Sequence, residues 1–261
     1  MEAATEREAL VAALSWQVAM GADEAMLDAP VARAAAAPPP EPAARPAARP
    51  SAPVPLRRLP PVGEAAAALA AGASTLEELR AAMAAFEGSA LRETATNFVF
   101  SDGVPGAPVM IIGEAPGAEE DRQGKPFVGA SGQLLDRMFA SIGLSRAESL
   151  YITNILPFRP PGNRTPTDAE ISLFLPFVLR HVQLAAPRFL VLAGGVSAKG
   201  VLQAREGITR LRGRWHEVTV LDGTVFKALP TWHPAYLLRN PIAKRDAWAD
   251  LLLLRRSVKD G

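Results

Sequence analysis

Apolar positions along this chain follow two rhythms. PVMIIGEAPG (108–117), SLYITNILP (149–157) and RFLVLAGG (188–195) are short apolar runs that close on Gly, Pro or Asn. Runs of that length and composition predict strands buried on both faces. Between the first two, SGQLLDRMFASIGL (131–144) sets Leu134, Leu135, Met138, Phe139 and Ile142 on one side of a helix. AEISLFLPFVLRHVQLAA (169–186) has the same helical spacing, and Pro176 is expected to kink it or mark its first turn. VSAKGVLQA predicts a short helix, and WHEVTVLDGTVFKALP (215–230) a hairpin turning at Asp222-Gly223. AKRDAWADLLLLRRSV (243–258) predicts a closing helix, and 64–86 reads as helical with Thr75 as N-cap of LEELRAAMAAF. Strands alternating with helices argue for an α/β fold, a three-layer α/β/α sandwich around a mostly parallel central sheet. Ligands of such sheets sit beyond the carboxyl ends of the strands.

The first 62 residues differ in character. Residues 5–27 carry Leu10, Val11, Leu14, Val18 and Met26 roughly on one helical face, so 1–29 is expected to form an amphipathic helix. Alone, a helix of that length is marginal, so it docks on the body or meets a protein partner. Residues 30–62 hold 11 of the 24 prolines, as in AAAAPPPEPAARPAARPSAPVP, which predicts a disordered, extended linker. The folded domain is therefore expected over 63–261.

Composition narrows the chemistry. The 261 residues contain no cysteine and three histidines, His181, His216 and His233. Disulfides, thiolate nucleophiles and cysteine-held zinc or iron–sulfur sites are excluded. The net charge of +1 advertises no nucleic-acid partner globally, so any basic surface must come from local clustering. No targeting signal or membrane span is expected, and a cytoplasmic monomer is the default reading.

Four polar loops could carry function. GEAPGAEEDRQGKPFVG (113–129) is neither GxGxxG nor a Walker loop, which disfavours a nucleotide-phosphate cradle. It offers a strand-end carboxylate (Glu114), acidic residues at 119–121, a ring (Phe127), and glycines that admit close backbone approach. TNILPFRPPGNRTPT (153–167) ends a strand on Asn154, whose amide both donates and accepts, and continues into a stiff basic turn with Asn163 and Arg164. WHPAYLLR (232–239) holds His233 between a strand and a proline, where it could donate to a developing anion. REGITRLRGR (205–214) concentrates arginines, including Arg210, Arg212 and Arg214, suited to phosphate contacts. Each alone has an ordinary structural explanation as core ring, turn or solvated loop. Their shared position at strand ends shifts the balance.

Together these loops resemble the family 4 uracil-DNA glycosylases of bacteria and archaea, over roughly residues 86–255. GEAPGAEEDRQGKPFVGASGQLL is similar to that family's first motif, TNILPFRPPGNRTP to its middle segment, and HPAYLLR to its terminal motif. The resemblance implies an enzyme that hydrolyses the N-glycosidic bond of uracil in single- or double-stranded DNA after flipping the base. It implies that Phe127 stacks on uracil, Asn154 reads its Watson–Crick edge, and the turn containing Ala115 crowds a 5-methyl group. Glu114 or Glu120 would orient water, and His233 would stabilise the leaving anion. Asn163 would stand near the site. Leu237 or Leu238 would wedge into the duplex. Arg164, Arg239 and the arginines of 205–214 would hold phosphates.

One departure is large. The family's four cysteine ligands of a 4Fe–4S cluster align here with Phe86, Ser89, Phe158 and Phe174, so the cluster is expected to be absent and replaced by an apolar plug. A related subgroup traps DNA through a histidine in a basic insertion, but 158–168 has neither, so turnover is expected. The alternative is a catalytically weak or inactive paralogue that serves as a DNA- or polymerase-binding module. Excision of hypoxanthine or xanthine besides uracil would need only modest changes of the pocket.

Overall fold

A computed structural model describes residues 61–259. The helix expected over 1–29, and most of the linker, lie outside the described residues. Helix α1 (Pro61–Gly72) starts two residues inside the expected linker, on a proline that needs no N–H in a first turn. The run expected as one helix to residue 86 breaks at 73–75, and α2 (Leu76–Ala85) starts anew. Thr75 caps it, its hydroxyl accepting from the Glu78 N–H at 3.1 Å.

The order then runs α3 (Leu91–Thr94), β1 (Ser101–Gly103), β2 (Val109–Gly113), α4 (Ala118–Gln123), α5 (Ala130–Ala140) and β3 (Leu150–Asn154). It continues with α6 (Asp168–Ala185), β4 (Phe189–Ala193), α7 (Gly195–Leu202), α8 (Ile208–Leu211), β5 (His216–Thr219), β6 (Val225–Thr231), α9 (Pro234–Arg239) and α10 (Lys244–Lys259). Helix α6 is capped by the Thr167–Glu170 box and carries Pro176 in its middle, neither at an end nor in the first turn.

The sheet order is β1-β3-β2-β4-β6-β5. The four inner strands are parallel, while β1 and β5 pair antiparallel at the edges. Side chains of a strand point alternately to opposite faces, so each buried run feeds two cores. Met110, Ile112, Tyr151, Leu190 and Leu192 face α1, α2, α6 and α7. Val109, Ile111, Ile152 and Val191 face α5 and α10. Helices therefore cover both faces, giving the expected three layers.

This parallel arrangement decides where chemistry can occur. Gly113 of β2 lies in register with Asn154 of β3. Ala193 of β4 lies beside Thr231 of β6. The loops leaving these ends carry Glu114 and His233, so residues far apart in sequence open onto one edge of the sheet. Among the described residues, no helix is long and apolar enough to cross a membrane.

Candidate active site

A cavity of about 420 Å³ opens at that edge. Glu114, Ala115, Glu120, Phe127, Asn154, Asn163, Arg164, His233 and Arg239 all line it. The structure thus brings together residues from three of the four loops.

Asn154 closes β3 and is buried, with its Oδ1 unpartnered. A buried acceptor left unpaired is unfavourable unless a ligand supplies the donor. Phe127 forms the neighbouring wall, its ring tilted by 31° against the His233 imidazole at 5.5 Å between centroids. Its backbone has φ of +53°, rare for an aromatic residue. Two glycines admit this conformation. A Cβ on Gly113 would collide with Asn154 Oδ1 and the Phe127 ring, and one on Gly132 would collide with the Phe127 carbonyl.

The two carboxylates expected as alternatives have different duties. Glu120 is saturated, with Oε1 accepting from Val128 and Gly129 N–H at 2.9 and 2.8 Å and Oε2 from Gly117 N–H at 3.1 Å. It ties the loop to the start of α4. Burial pushes the Glu114 carboxyl above the usual carboxylate range, and among the described residues no cation or hydrogen bond offsets it. A half-buried, unengaged carboxylate of that kind can take a proton from water.

His233 caps α9. Its Nδ1 accepts from the Ala235 N–H at 3.1 Å, so in the neutral ring the proton sits on Nε2. Burial, helped by the positive charge of Arg239 and opposed by Glu120, lowers its pKa to about 4. At neutral pH the imidazole is therefore an uncharged donor. Gly194, at φ of +95°, gives it room, since a Cβ there would lie 2.9 Å from the His233 Cβ.

Rim residues vary. Arg164 is exposed and held by Glu170 at 2.6 Å, and Arg159 donates to Asn163 Oδ1 at 2.7 Å. Arg210 and Arg214 are exposed but do not line the cavity. Arg212 departs from its expected role. It turns inward, its Nη2 at 2.7 Å from buried Asp250, which also accepts from the Thr231 hydroxyl at 2.8 Å. That ion pair anchors the end of β6 and leaves little of Arg212 for phosphate. Leu237 is likewise corrected, being 1% exposed and packed in a small core with Leu134 and Ala247. Leu238 is the leucine that faces outward. A second groove of about 960 Å³, sharing Glu114 and His233, runs past Lys199 and Arg205. Lys199 had no motif to signal it.

Residues 100–252 match the family model described as the uracil DNA glycosylase superfamily. The type-4 uracil-DNA glycosylase of Archaeoglobus fulgidus is 38% identical over 164 residues, 61% of this chain and 81% of the relative. That of Pyrobaculum aerophilum is 35% identical over 161 residues, covering 60% and 81%, and that of Sulfurisphaera tokodaii 34% over 186, covering 69% and 84%. The chain belongs to the type-4 uracil-DNA glycosylase family.

Within this type-4 scaffold, the positions implied for cluster ligands do not fit an iron–sulfur cluster. Phe86 meets Phe174 edge to face at 6.1 Å, Phe158 meets Phe174 at 6.3 Å, and Phe177 joins Phe86 at 5.4 Å. Ser89 is buried, its hydroxyl accepting from Leu91 N–H at 3.4 Å. Three rings and one hydroxyl offer no thiolate to iron. Among the described residues, no group of three His, Cys, Asp or Glu is placed to hold a metal.

Proposed function

We propose that this protein is a DNA-repair glycosylase that hydrolyses the N-glycosidic bond of uracil in DNA, releasing the base and leaving an abasic site. The observation that carries this reading is the unpartnered, buried Asn154 Oδ1 at the cavity wall between Phe127 and His233. Uracil presents a donor at N3 and an acceptor at O4, which a side-chain amide matches through Oδ1 and Nδ2. Cytosine presents the opposite pair and would leave buried groups unpaired. Phe127 stacks on the base, and the turn at Ala115 crowds the position where thymine carries a methyl group.

Such contacts need the base out of the helix stack. Exposed Leu238 fills the gap left behind, and Arg164, Arg239, Lys199 and Arg205 line the path of the phosphates. As the C1′–N1 bond breaks, its electron pair leaves on the uracil ring. The Nε2–H of His233 donates to the uracil O2 that gathers the charge. Water bonds to C1′ and passes its proton to Glu114. Because Glu114 titrates above the ordinary carboxylate range and His233 near 4, Glu114 sets the acid limb of the rate profile.

A glycosylase assay across uracil, hypoxanthine, xanthine and thymine mismatches tests the reading. Free uracil should be released in multiple turnovers. Failure on every deaminated base would overturn the enzyme and leave a DNA-binding module.

A further inference from the structure

We infer that Arg146 is a positioning residue for base recognition, acting from outside the cavity to hold Phe127 in its left-handed backbone and so to set the plane of its ring. This rests on the reading of Phe127 as the stacking platform. Arg146 lies in the connection from α5 to β3, does not line the cavity, and belongs to none of the motif loops. Its Nη1 donates to the Pro126 carbonyl at 2.9 Å and its Nη2 to the Phe127 carbonyl at 2.6 Å. The same two nitrogens also meet Asp102 of β1, at 2.9 Å from Nη1, and Asp136 of α5, at 3.1 Å from Nη2.

The geometry explains why this matters. The two carbonyls belong to the peptide planes on either side of the Phe127 Cα. The dihedrals φ and ψ of Phe127 are the angles through which those planes turn about that Cα. Fixing both carbonyls with one planar fork therefore fixes the backbone of this residue, and the direction of Cβ with it. Glu120 holds the following N–H groups, of Val128 and Gly129. Without the fork, an aromatic residue relaxes toward negative φ, where its side chain leaves the cavity differently. A lysine supplies charge to Asp102 and Asp136 but cannot grip two carbonyls in one plane.

The test combines two readouts on Arg146→Gln and Arg146→Lys, each made with Phe127 and with Phe127→Ala, with folding followed by circular dichroism. The first is inhibition by free uracil together with KM and kcat on uracil-containing DNA. The second is the ¹⁹F spectrum of the protein carrying 4-fluorophenylalanine at 127, which needs no ligand. Both Arg146 variants should weaken uracil inhibition and raise KM roughly threefold to tenfold, the scale of one aromatic contact. They should lower kcat less, and broaden or shift the ¹⁹F line. With Phe127→Ala, replacing Arg146 should change uracil inhibition no further. An unchanged ¹⁹F line in a folded Arg146→Lys protein, or equal losses in both backgrounds, would overturn the proposal. If the ¹⁹F line moves but the parent protein neither binds nor releases uracil, the positioning role stands and the uracil reading falls. Should Arg146→Gln fail to fold, Arg146→Lys alone decides, because it keeps the charge and removes only the fork.

Discussion

Phe127 and Phe174 are both almost wholly buried, and they are held by opposite means. Phe174 sits among Phe86, Phe158 and Phe177 with ring centroids about 6 Å apart. Nothing in that nest is directional beyond a mild edge-to-face preference. Among the described residues, Phe127 has one aromatic neighbour, His233, and a frame of charged hydrogen bonds from Arg146 and Glu120. The nest has only to fill volume and tie α2 and the loop after β3 to α6, which apolar side chains of suitable size can do. The loop at 126–129 has to keep one strained residue at one orientation, and only directional bonds specify that.

Experiments can break this contrast. The largest effect is expected for Phe174→Ala, which should lose roughly 3–5 kcal/mol of stability by emptying the nest. Urea unfolding measures that loss, while uracil release well below the melting transition should persist. The parent protein should contain no stoichiometric iron or sulfide. His233→Ala should act chiefly on catalysis, lowering kcat roughly 10²–10³-fold, as removal of an oxyanion donor does, while the lost helix cap costs about 1 kcal/mol of stability. A fall in stability with kcat little changed would show that the residue serves as a helix cap and not as the proton donor.

Glu120→Gln should fall between these, since an amide cannot accept all three N–H bonds of the loop. About 1.5–3 kcal/mol of stability is at stake, with KM rising more than kcat falls. The smallest effect, read over the first pH unit below about 6.5, tests the aromatic side of the molecule. His181 stacks on Phe100 at 4.4 Å and contacts the Tyr151 hydroxyl at 2.9 Å, and burial lowers its pKa to about 3. The unfolded chain takes up a proton near pH 6.5 that the native state refuses. Stability should therefore decline below pH 6.5, by about 1 kcal/mol over the first unit from His181 and by a similar amount from His233, whose pKa is lowered to about 4, and hold above pH 6.5. His181→Phe should roughly halve the slope measured by denaturant midpoints, leaving the part that belongs to His233.

Most of this architecture was legible because buried strands leave unbroken apolar runs. VMIIG, LYITN and FLVLA fall where those runs lie. Strand β1 was not legible, because Ser101–Gly103 is polar and is a strand only through its pairing with β3. Helix α9 is six residues long, too short for periodicity to decide which of two adjacent leucines points inward. Likewise, four arginines in ten residues give no sign that Arg212 would find Asp250, 38 positions later. Arg146 reads as a solvated charge until its loop is folded against the one at 126. The cavity residues themselves were readable because the ends of parallel strands gather on one side, whatever their distance in sequence.

The bond from the Ala235 amide to His233 has one more consequence. Many catalytic imidazoles owe their orientation to a partner side chain, which a single substitution can remove. Here the first turn of a helix selects the tautomer, and Pro234, having no N–H, leaves Ala235 as the amide that reaches the ring. Side chains around the histidine can therefore drift without exchanging its donor and acceptor nitrogens. A one-residue insertion between the histidine and that helix could undo the choice and leave every residue of the cavity in place.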